Sequence, residues 1–182
     1  SLVIPVYNEA ERLELAIGQI ERGITSKTLR LKEIIFVDDG STDKTLKMIK
    51  KFKATSDLLV KIVSYKENRG KGFAVKQGMA TATGDYALLA DVDMSTPLSE
   101  LSKLDQFVLN GDQVIIGTRK NGESTVVIPQ TKLRQIMGKA FTKITQLVLN
   151  LEVTDFTCGF KIFSRKAYQQ IFTYSRIERW GY

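Results

Sequence analysis

Short continuous apolar runs alternate along this chain with stretches whose apolar residues recur at helical spacing. Residues 1–6 read as a buried strand, Pro5 suiting its end, and Tyr7, Asn8 and Glu9 form the loop that follows. Leu13, Ala16, Ile17, Ile20 and Ile24 then recur with the helical period while Glu11, Arg12, Glu14 and Glu21 take the outer face. Residues 33–37 predict a second strand that ends in Asp38-Asp39-Gly40-Ser41. Ser41 or Thr42 is the expected cap of the next helix, which has Asp43 in its first turn and Met48, Ile49 and Phe52 inward. A third strand over 58–64 leads into the basic, glycine-bearing loop 66–72 and a helix from Phe73 to about Thr83. Residues 85–90 predict the fourth strand. Thr96 and Pro97 suit the N-cap and first position of a helix with Leu101, Leu104 and Val108 inward and Gly111 at its close.

Beyond a fifth strand over 113–117 the pattern changes. Thr118 to Gly122 is a basic loop followed by a polar stretch to Thr131, and a long helix is expected over 132–149. Residues 153–163 read as a last strand and 165–172 as a short helix. Strand and helix alternating in this way predict an α/β fold, an open, mostly parallel sheet flanked by helices, most economically one domain over 1–182.

Within that architecture the fourth strand carries the most chemistry. Its apolar run ends in Asp91-Val92-Asp93, and an i, i+2 spacing in extended chain puts both carboxylates on one side. Such a pair repels itself unless a cation or donors compensate, and oxygen-only ligands suit Mg²⁺ or Mn²⁺ bound together with a substrate diphosphate. Two aspartates in a surface turn give the same local pattern. In open α/β sheets ligands bind beyond the carboxyl ends of the strands, and Glu9, Asp38, Asp39, Asp91 and Asp93 all fall there. The first strand runs into Pro-Val-Tyr-Asn-Glu, not G-x-G-x-x-G, and no G-x-x-x-x-G-K-[ST] occurs, so neither a dinucleotide fingerprint nor a P-loop is present.

Composition narrows the chemistry further. The chain has no histidine, which removes Ser-His-Asp and Cys-His systems and any imidazole base, so carboxylates, cations and metal must do the work. Its single cysteine, Cys158, excludes an internal disulfide and suits a reducing compartment such as the cytoplasm. A net charge of +7 favours an anionic partner: nucleic acid, an acidic membrane surface or a phosphorylated substrate. No aromatic-basic readout motif accompanies the scattered lysines, which argues against nucleic acid. The 182 residues contain no apolar run long enough to cross a bilayer. Because they open without Met, directly in an apolar run, and stop at Trp180-Gly181-Tyr182, an excised domain is expected. The helix over 132–149 has an apolar face (Leu133, Ile136, Met137, Ala140, Ile144, Leu147) beside Lys132, Lys139 and Lys143, a pattern that fits either core packing or a membrane interface.

Five motifs stand in an order and spacing that resemble family 2 glycosyltransferases of the GT-A fold. They are Pro5-Val6-Tyr7-Asn8-Glu9, Val37-Asp38-Asp39-Gly40-Ser41-Thr42-Asp43, Asn68-Arg69-Gly70-Lys71-Gly72, Asp91-Val92-Asp93 and Gly117-Thr118-Arg119. Asp155-Phe156-Thr157-Cys158-Gly159-Phe160-Lys161 and Glu178-Arg179-Trp180 look like the dolichyl- or polyprenyl-phosphate sugar transferases, nearest their glucosyltransferase branch. Arg179-Trp180 is also similar to the Q-x-x-R-W signature of processive synthases, but Arg176 stands where that signature has Gln, so processivity is not expected.

The resemblance implies a metal-dependent, inverting hexosyltransferase. Pro5, Tyr7, Glu9, Val37 and Asp39 would border the base and ribose, Asp39 accepting a hydrogen bond from the base. Asp91, Val92, Asp93 and Ser95 would also border the nucleotide sugar, Asp91 and Asp93 holding the ribose and the metal, Mg²⁺ or Mn²⁺, with Asp93 the direct ligand and Asp91 serving the ribose or a metal-bound water. Lys71 reads as a phosphate contact or as an exposed loop lysine. Arg119 and Arg134 would grip an acceptor phosphate, and Arg119 joins Asp91 and Asp93 in the catalytic set. Some mannosyl members have Gln at the place of Ser95, and Gly138 stands where a hydroxyl side chain can meet the phosphate. UDP-glucose is the favoured donor and a polyprenyl or dolichyl phosphate at the cytoplasmic side of a membrane the favoured acceptor. Two alternatives stay open: transfer to a glycan hydroxyl, for which Asp155 is the only base to name and a structural carboxylate is the plainer reading, and a nucleotide-sugar-binding module without turnover.

Overall fold

A computed structural model describes residues 1–26, 30–118 and 132–176, and of 132–135 the backbone alone. In order the elements are β1 (Leu2–Val6), α1 (Ala10–Thr25), β2 (Glu33–Asp38), α2 (Thr45–Thr55), β3 (Leu59–Ser64), α3 (Lys71–Thr81) and β4 (Tyr86–Leu89). There follow a 3₁₀ helix (Leu98–Leu104) running into α4 (Asp105–Leu109), then β5 (Val114–Ile116), α5 (Lys132–Leu149), β6 (Lys161–Ser164) and α6 (Arg165–Tyr174). The chain divides into two compact units, Ser1–Ile115 with Phe160–Tyr182, and Ile116–Gly159.

The sheet order is β3-β2-β1-β4-β6-β5. β1 lies parallel to β2 and β4, β2 parallel to β3, and β6 runs antiparallel to β4, the mostly parallel α/β arrangement expected. Every residue of β1 and β2 is buried, because helices cover both faces of the sheet. Alternation divides the core. Val3, Ile35, Val37 and Leu89 pack with Ala74, Val75 and Met79 of α3 and with Tyr168 and Phe172 of α6, while Phe36 meets Phe52 of α2 edge to face at 6.0 Å. Each such aliphatic side chain removed from water contributes roughly 1.5–3 kcal/mol. Leu13, Ala16 and Ile20 form the buried stripe of α1, as their spacing predicts.

One charged group lies inside this core. Glu33 is fully buried at the amino end of β2, where Oε1 accepts from Ser1 Oγ (2.7 Å) and Thr83 N (2.6 Å) and the Lys61 ammonium lies 2.6 Å from Oε2. Burial pushes its pKa up, but the Lys61 ammonium and the Ser1 and Thr83 donors outweigh that and hold it at about 2. The network occupies the end of the sheet opposite the acidic loops.

Several local expectations are corrected. Neither Ser41 nor Thr42 caps α2, which begins at Thr45. Instead Asp43 accepts from Thr45 N (2.9 Å) and from Ala10 N (3.2 Å), so one carboxylate serves the first turns of α2 and α1 together. Thr42 N donates to Asn8 Oδ1 at 2.8 Å and Asn8 N to Ser41 Oγ at 3.0 Å, binding the two loops to each other. α3 starts at Lys71, two residues before Phe73. Pro97 is the N-cap of a 3₁₀ helix and not the first residue of an α-helix, and Leu101, Leu104 and Val108 are half-buried. Gly111, at φ +81°, closes the segment as expected.

In the unit Ile116–Gly159, the strand expected over 153–163 is confined to Lys161–Ser164, outside that unit. Residues 155–158 form a turn in which Cys158 N reaches Asp155 O at 3.4 Å and Thr157 Oγ1 donates to Asp155 Oδ1 at 3.1 Å. Local side-chain bonding of this kind competes with strand pairing. Ile136, Met137, Phe141, Ile144, Leu147 and Val148 on α5 are each at least half exposed. Among the described residues no helix is long and apolar enough to cross a membrane.

Candidate functional site

The topology locates the site. β1 is followed on one side by β2 and β3 and on the other by β4, so the strand order reverses between β1 and β4. At that switch the loops leaving the two strands part and open a crevice at their carboxyl ends. A cavity of about 440 Å³ lies there, lined from β1 by Pro5, Val6, Tyr7 and Glu9 and from β4 by Asp91, Val92 and Asp93. Asp39, Asn68, Gly70, Lys71 and Ala74 close it from the β2 and α3 side, and Arg12 of α1 stands at its rim.

Of the expected nucleotide-sugar residues, Pro5, Tyr7, Glu9, Asp39, Lys71, Asp91, Val92 and Asp93 line this cavity. Val37 and Ser95 do not. Val37 is wholly buried, its side chain packed beneath α3 against Gly78 in the core, two residues short of Asp39. Ser95 instead donates its backbone N–H to Asp93 Oδ1 at 2.9 Å. Arg119 and the side chain of Arg134 lie outside the described residues, as do Glu178, Arg179 and Trp180. Asp155 is buried, and its Oδ1 accepts from Thr157 Oγ1 at 3.1 Å.

Asp39 is the most constrained acid of the site. It is 3% exposed, and its carboxylate accepts from Arg69 N (2.8 Å), Gly70 N (2.8 Å) and Asn68 Nδ2 (2.9 Å). Asn68 Nδ2 also reaches the Asp39 carbonyl at 3.1 Å. Charge-assisted bonds to successive backbone N–H groups are strong, and they fasten the loop before α3 to the end of β2. Gly40 makes this approach possible: it sits at φ +76°, and a Cβ there would lie 2.9 Å from Asn68 N. The loop's outer wall is aromatic. Tyr65 meets Phe73 edge-on at 5.3 Å, and the Arg69 guanidinium lies 3.6 Å from the Phe73 ring centre. Burial, with the Asp39 carboxylate nearby, pushes the Tyr65 phenol up, so it stays protonated.

Beside Asp39 the chain enters α3 through Gly70, at φ 93° and ψ 160°, a conformation essentially reserved for glycine. Lys71, the first helical residue, places its ammonium 2.6 Å from Asp91 Oδ1, with both side chains about one-third exposed. The first turn of α3 contains no acidic residue, so its partial positive charge and the lysine both favour an anion in the cavity. Past Asp91 the chain turns sharply: Met94 N donates to the Asp91 carbonyl at 3.1 Å, and Met94 itself is left-handed at φ 49° with a buried side chain. That turn, with the Ser95 bond, sets the Asp93 carboxylate.

The donor set also bears on metal. Asp91 and Asp93 offer carboxylate oxygen only, and among the described residues no group of three or more His, Cys, Asp or Glu is placed to hold a metal ion by itself. Two carboxylates suit a hard dication that completes its shell with water and ligand phosphate, and do not suit a closed structural metal cage.

Spacing alone missed Arg12, Asn68 and Ala74. Arg12 lies in the first turn of α1, where an i, i+3 pairing with Glu9 at 3.2 Å reads as an ordinary surface contact until the cavity is seen. Asn68 and Gly70 were within a motif already noted, but which backbone groups met Asp39 depended on the crossover.

Residues 1–172 match the family model "Glycosyl transferase family 2". Over 192 residues the chain is 31% identical to a dolichyl-phosphate beta-glucosyltransferase of Dictyostelium discoideum, covering all of this chain and 59% of that protein. Among solved structures, glucosyl-3-phosphoglycerate synthase from Mycobacterium tuberculosis with Mn²⁺, UDP-glucose and phosphoglyceric acid superposes with a TM-score of 0.63 at 21% identity, over 91% of this chain and 56% of that one. The mannosyltransferase PcManGT from Pyrobaculum calidifontis with GDP-Man and Mn²⁺ gives 0.64 at 20% identity, over 91% of this chain and 44% of that one.

Proposed function

The chain belongs to glycosyl transferase family 2, with a GT-A fold, and from that premise we propose that it transfers glucose from UDP-glucose to a dolichyl or polyprenyl phosphate at a membrane surface, with inversion. The observation that carries this reading is the convergence of Tyr7, Asp39, Lys71, Asp91 and Asp93 on one cavity at the switch point of the sheet. The dolichyl-phosphate relative supports the acceptor, and the two solved neighbours, one with a UDP sugar and one with a GDP sugar, support a nucleotide diphosphate sugar as donor. The chain spans 59% of the length of that relative, so acceptor and sugar belong to the proposal.

In this reading Tyr7 and Glu9 border the base and ribose, and Asp39 turns its remaining acceptor capacity to the base. Asp93 and Asp91 would hold Mg²⁺ or Mn²⁺, which would supply positive charge against the diphosphate leaving group. Lys71 and the first turn of α3 add positive charge on the same side. An acceptor phosphate oxygen attacks the anomeric carbon from the face opposite the diphosphate. The new C–O bond forms as the bond to the diphosphate breaks, and the electron pair leaves with the nucleotide. No general base is needed, because a phosphate monoester with a second pKa of about 6 is already ionised near neutral pH. That accounts for a site without histidine. Arg119 and Arg134 are the proposed grips for the acceptor phosphate, whose planar forks suit that group.

The exposed apolar face of α5, with Lys139 and Lys143 beside it, supports contact with an anionic leaflet. Release of UDP is measured with UDP-glucose, Mn²⁺ or Mg²⁺ and either a short polyprenyl phosphate or a saccharide acceptor. Turnover with the lipid phosphate alone is expected. Preference for the saccharide would replace this acceptor, and no turnover of any donor by the full-length protein would end the proposal.

A further inference from the structure

Lys71 is badly placed for a helix and well placed for Asp91. A lysine in the first turn sits at the positive end of the helix dipole, a position that favours carboxylates. Its ammonium instead reaches out of α3 to Asp91 Oδ1 at 2.6 Å, twenty residues along the chain. Asp91 is also one of the two carboxylates available to a divalent ion. A carboxylate oxygen that already holds an ammonium at this distance takes up a dication only if the two positive groups crowd one another or the ammonium moves.

We propose that Lys71 is an exchangeable counter-ion: it neutralises Asp91 while the donor site is empty, and releases it to the metal only when a diphosphate arrives to receive the ammonium. The inference rests on the donor-site reading given above and adds to it an ordering of binding. Both partners of the pair are about one-third exposed, so the contact is weak enough to exchange and yet strong enough to compete. The flexible four-carbon stem lets the ammonium swing while the backbone stays fixed, since Gly70 and the preceding residues are fastened to Asp39. Diphosphate and metal then favour each other through Lys71: whichever ligand draws the ammonium from Asp91 improves the site for the other, and the coupling is reciprocal. The empty protein is thereby kept from filling its site with a bare cation, and free of the repulsion between Asp91 and Asp93.

The test measures metal binding and not turnover. Mn²⁺ is titrated into nucleotide-free protein and followed by the loss of the free-ion electron paramagnetic resonance signal, for wild type, Lys71→Met, Lys71→Arg and the Lys71→Met/Asp91→Asn double variant. Thermal melts establish that each is folded. Lys71→Met is expected to bind Mn²⁺ about tenfold more tightly than wild type without nucleotide. Lys71→Arg, which keeps the charge, should remain near wild type, and the double variant should lose the gain. With UDP present, the advantage of Lys71→Met should shrink or reverse, because the phosphate has lost its ammonium.

If wild type takes up Mn²⁺ with UDP but Lys71→Met is no tighter than wild type without it, the exchange is wrong while the donor-site reading stands. If no folded protein binds Mn²⁺ even with UDP, the metal-bound donor reading fails and the exchange with it. A gain that survives Asp91→Asn would also overturn the proposal, since the released carboxylate would not be the one Lys71 holds.

Discussion

The Gly70 backbone nitrogen donates to Asp39 Oδ2 at 2.8 Å, so the strand-end acid proposed to face the nucleotide base also fixes the residue that opens α3. The proposed base and phosphate contacts are thereby mechanically joined: Asp39 holds Gly70, and the next residue is Lys71.

Replacing Asp39 is expected to fail in two ways at once. Asp39→Asn places an amide donor among the Arg69, Gly70 and Asn68 donors, and should cost about 1–3 kcal/mol, a Tm fall of roughly 2–12 °C for a chain of this size. UDP affinity, followed by calorimetry below the lowered melting range, should drop by about tenfold or more, some 1.4 kcal/mol. A variant with unchanged Tm would show that the three bonds do not fasten the loop.

Gly70→Ala isolates the backbone requirement from the carboxylate. At φ 93° and ψ 160° an added Cβ is strained by about 1–3 kcal/mol. The expected result is a lowered urea midpoint together with weaker UDP binding, because relief of the strain moves Lys71. Equal stability of the two proteins would place the loop in a different conformation.

Chelation should abolish sugar transfer, and either Mn²⁺ or Mg²⁺ should restore it. Asp93→Ala is expected to lower kcat by roughly 10²–10³-fold while leaving much of the metal-independent nucleotide affinity. Parallel loss of turnover and of nucleotide binding would contradict this division, in which Asp93 serves the metal chiefly and Asp91 also faces Lys71.

Acid stability should report on Glu33, far from the site. Its folded pKa of about 2 lies below the ordinary 4.5, so its contribution is fully present above the unfolded value and is lost as pH falls from about 5 towards 2. Urea midpoints measured from pH 7 to pH 3 should decline more steeply for wild type than for Glu33→Gln. The variant should be less stable at pH 7 by about 1–3 kcal/mol, because Lys61 loses a buried partner. Identical slopes would mean that the fold does not lower the Glu33 pKa.

Membrane contact through α5 predicts co-sedimentation with vesicles containing anionic lipid, weakened by salt. Ile144→Asp with Leu147→Asp, at positions 63% and 85% exposed, should leave Tm within a few degrees and reduce the bound fraction several-fold. Unchanged binding by the folded variant would assign the surface elsewhere.

Much of this protein is determined locally and so can be read along the chain. Continuous apolar runs mark β1 and β2 because both faces of a covered parallel sheet are dry, and the stripe of Leu13, Ala16 and Ile20 marks α1 because its period matches the helix. The five motifs, the pairing of Asp91 with Asp93 and the absence of histidine point to the chemistry from residue identity alone. Tertiary structure decided what each acid meets. Packing beneath α3 keeps Val37 in the core, Asp155 accepts a bond from Thr157 in a local turn, and Asp43 rather than Ser41 or Thr42 serves the helix ends. Asp39 finds Gly70, and Lys71 finds Asp91, only because parallel strands and their crossover helices bring distant segments to one end of the sheet. Sequence spacing records which face a residue occupies within its own element, whereas its partner across the crevice depends on strand order and register, which spacing does not encode.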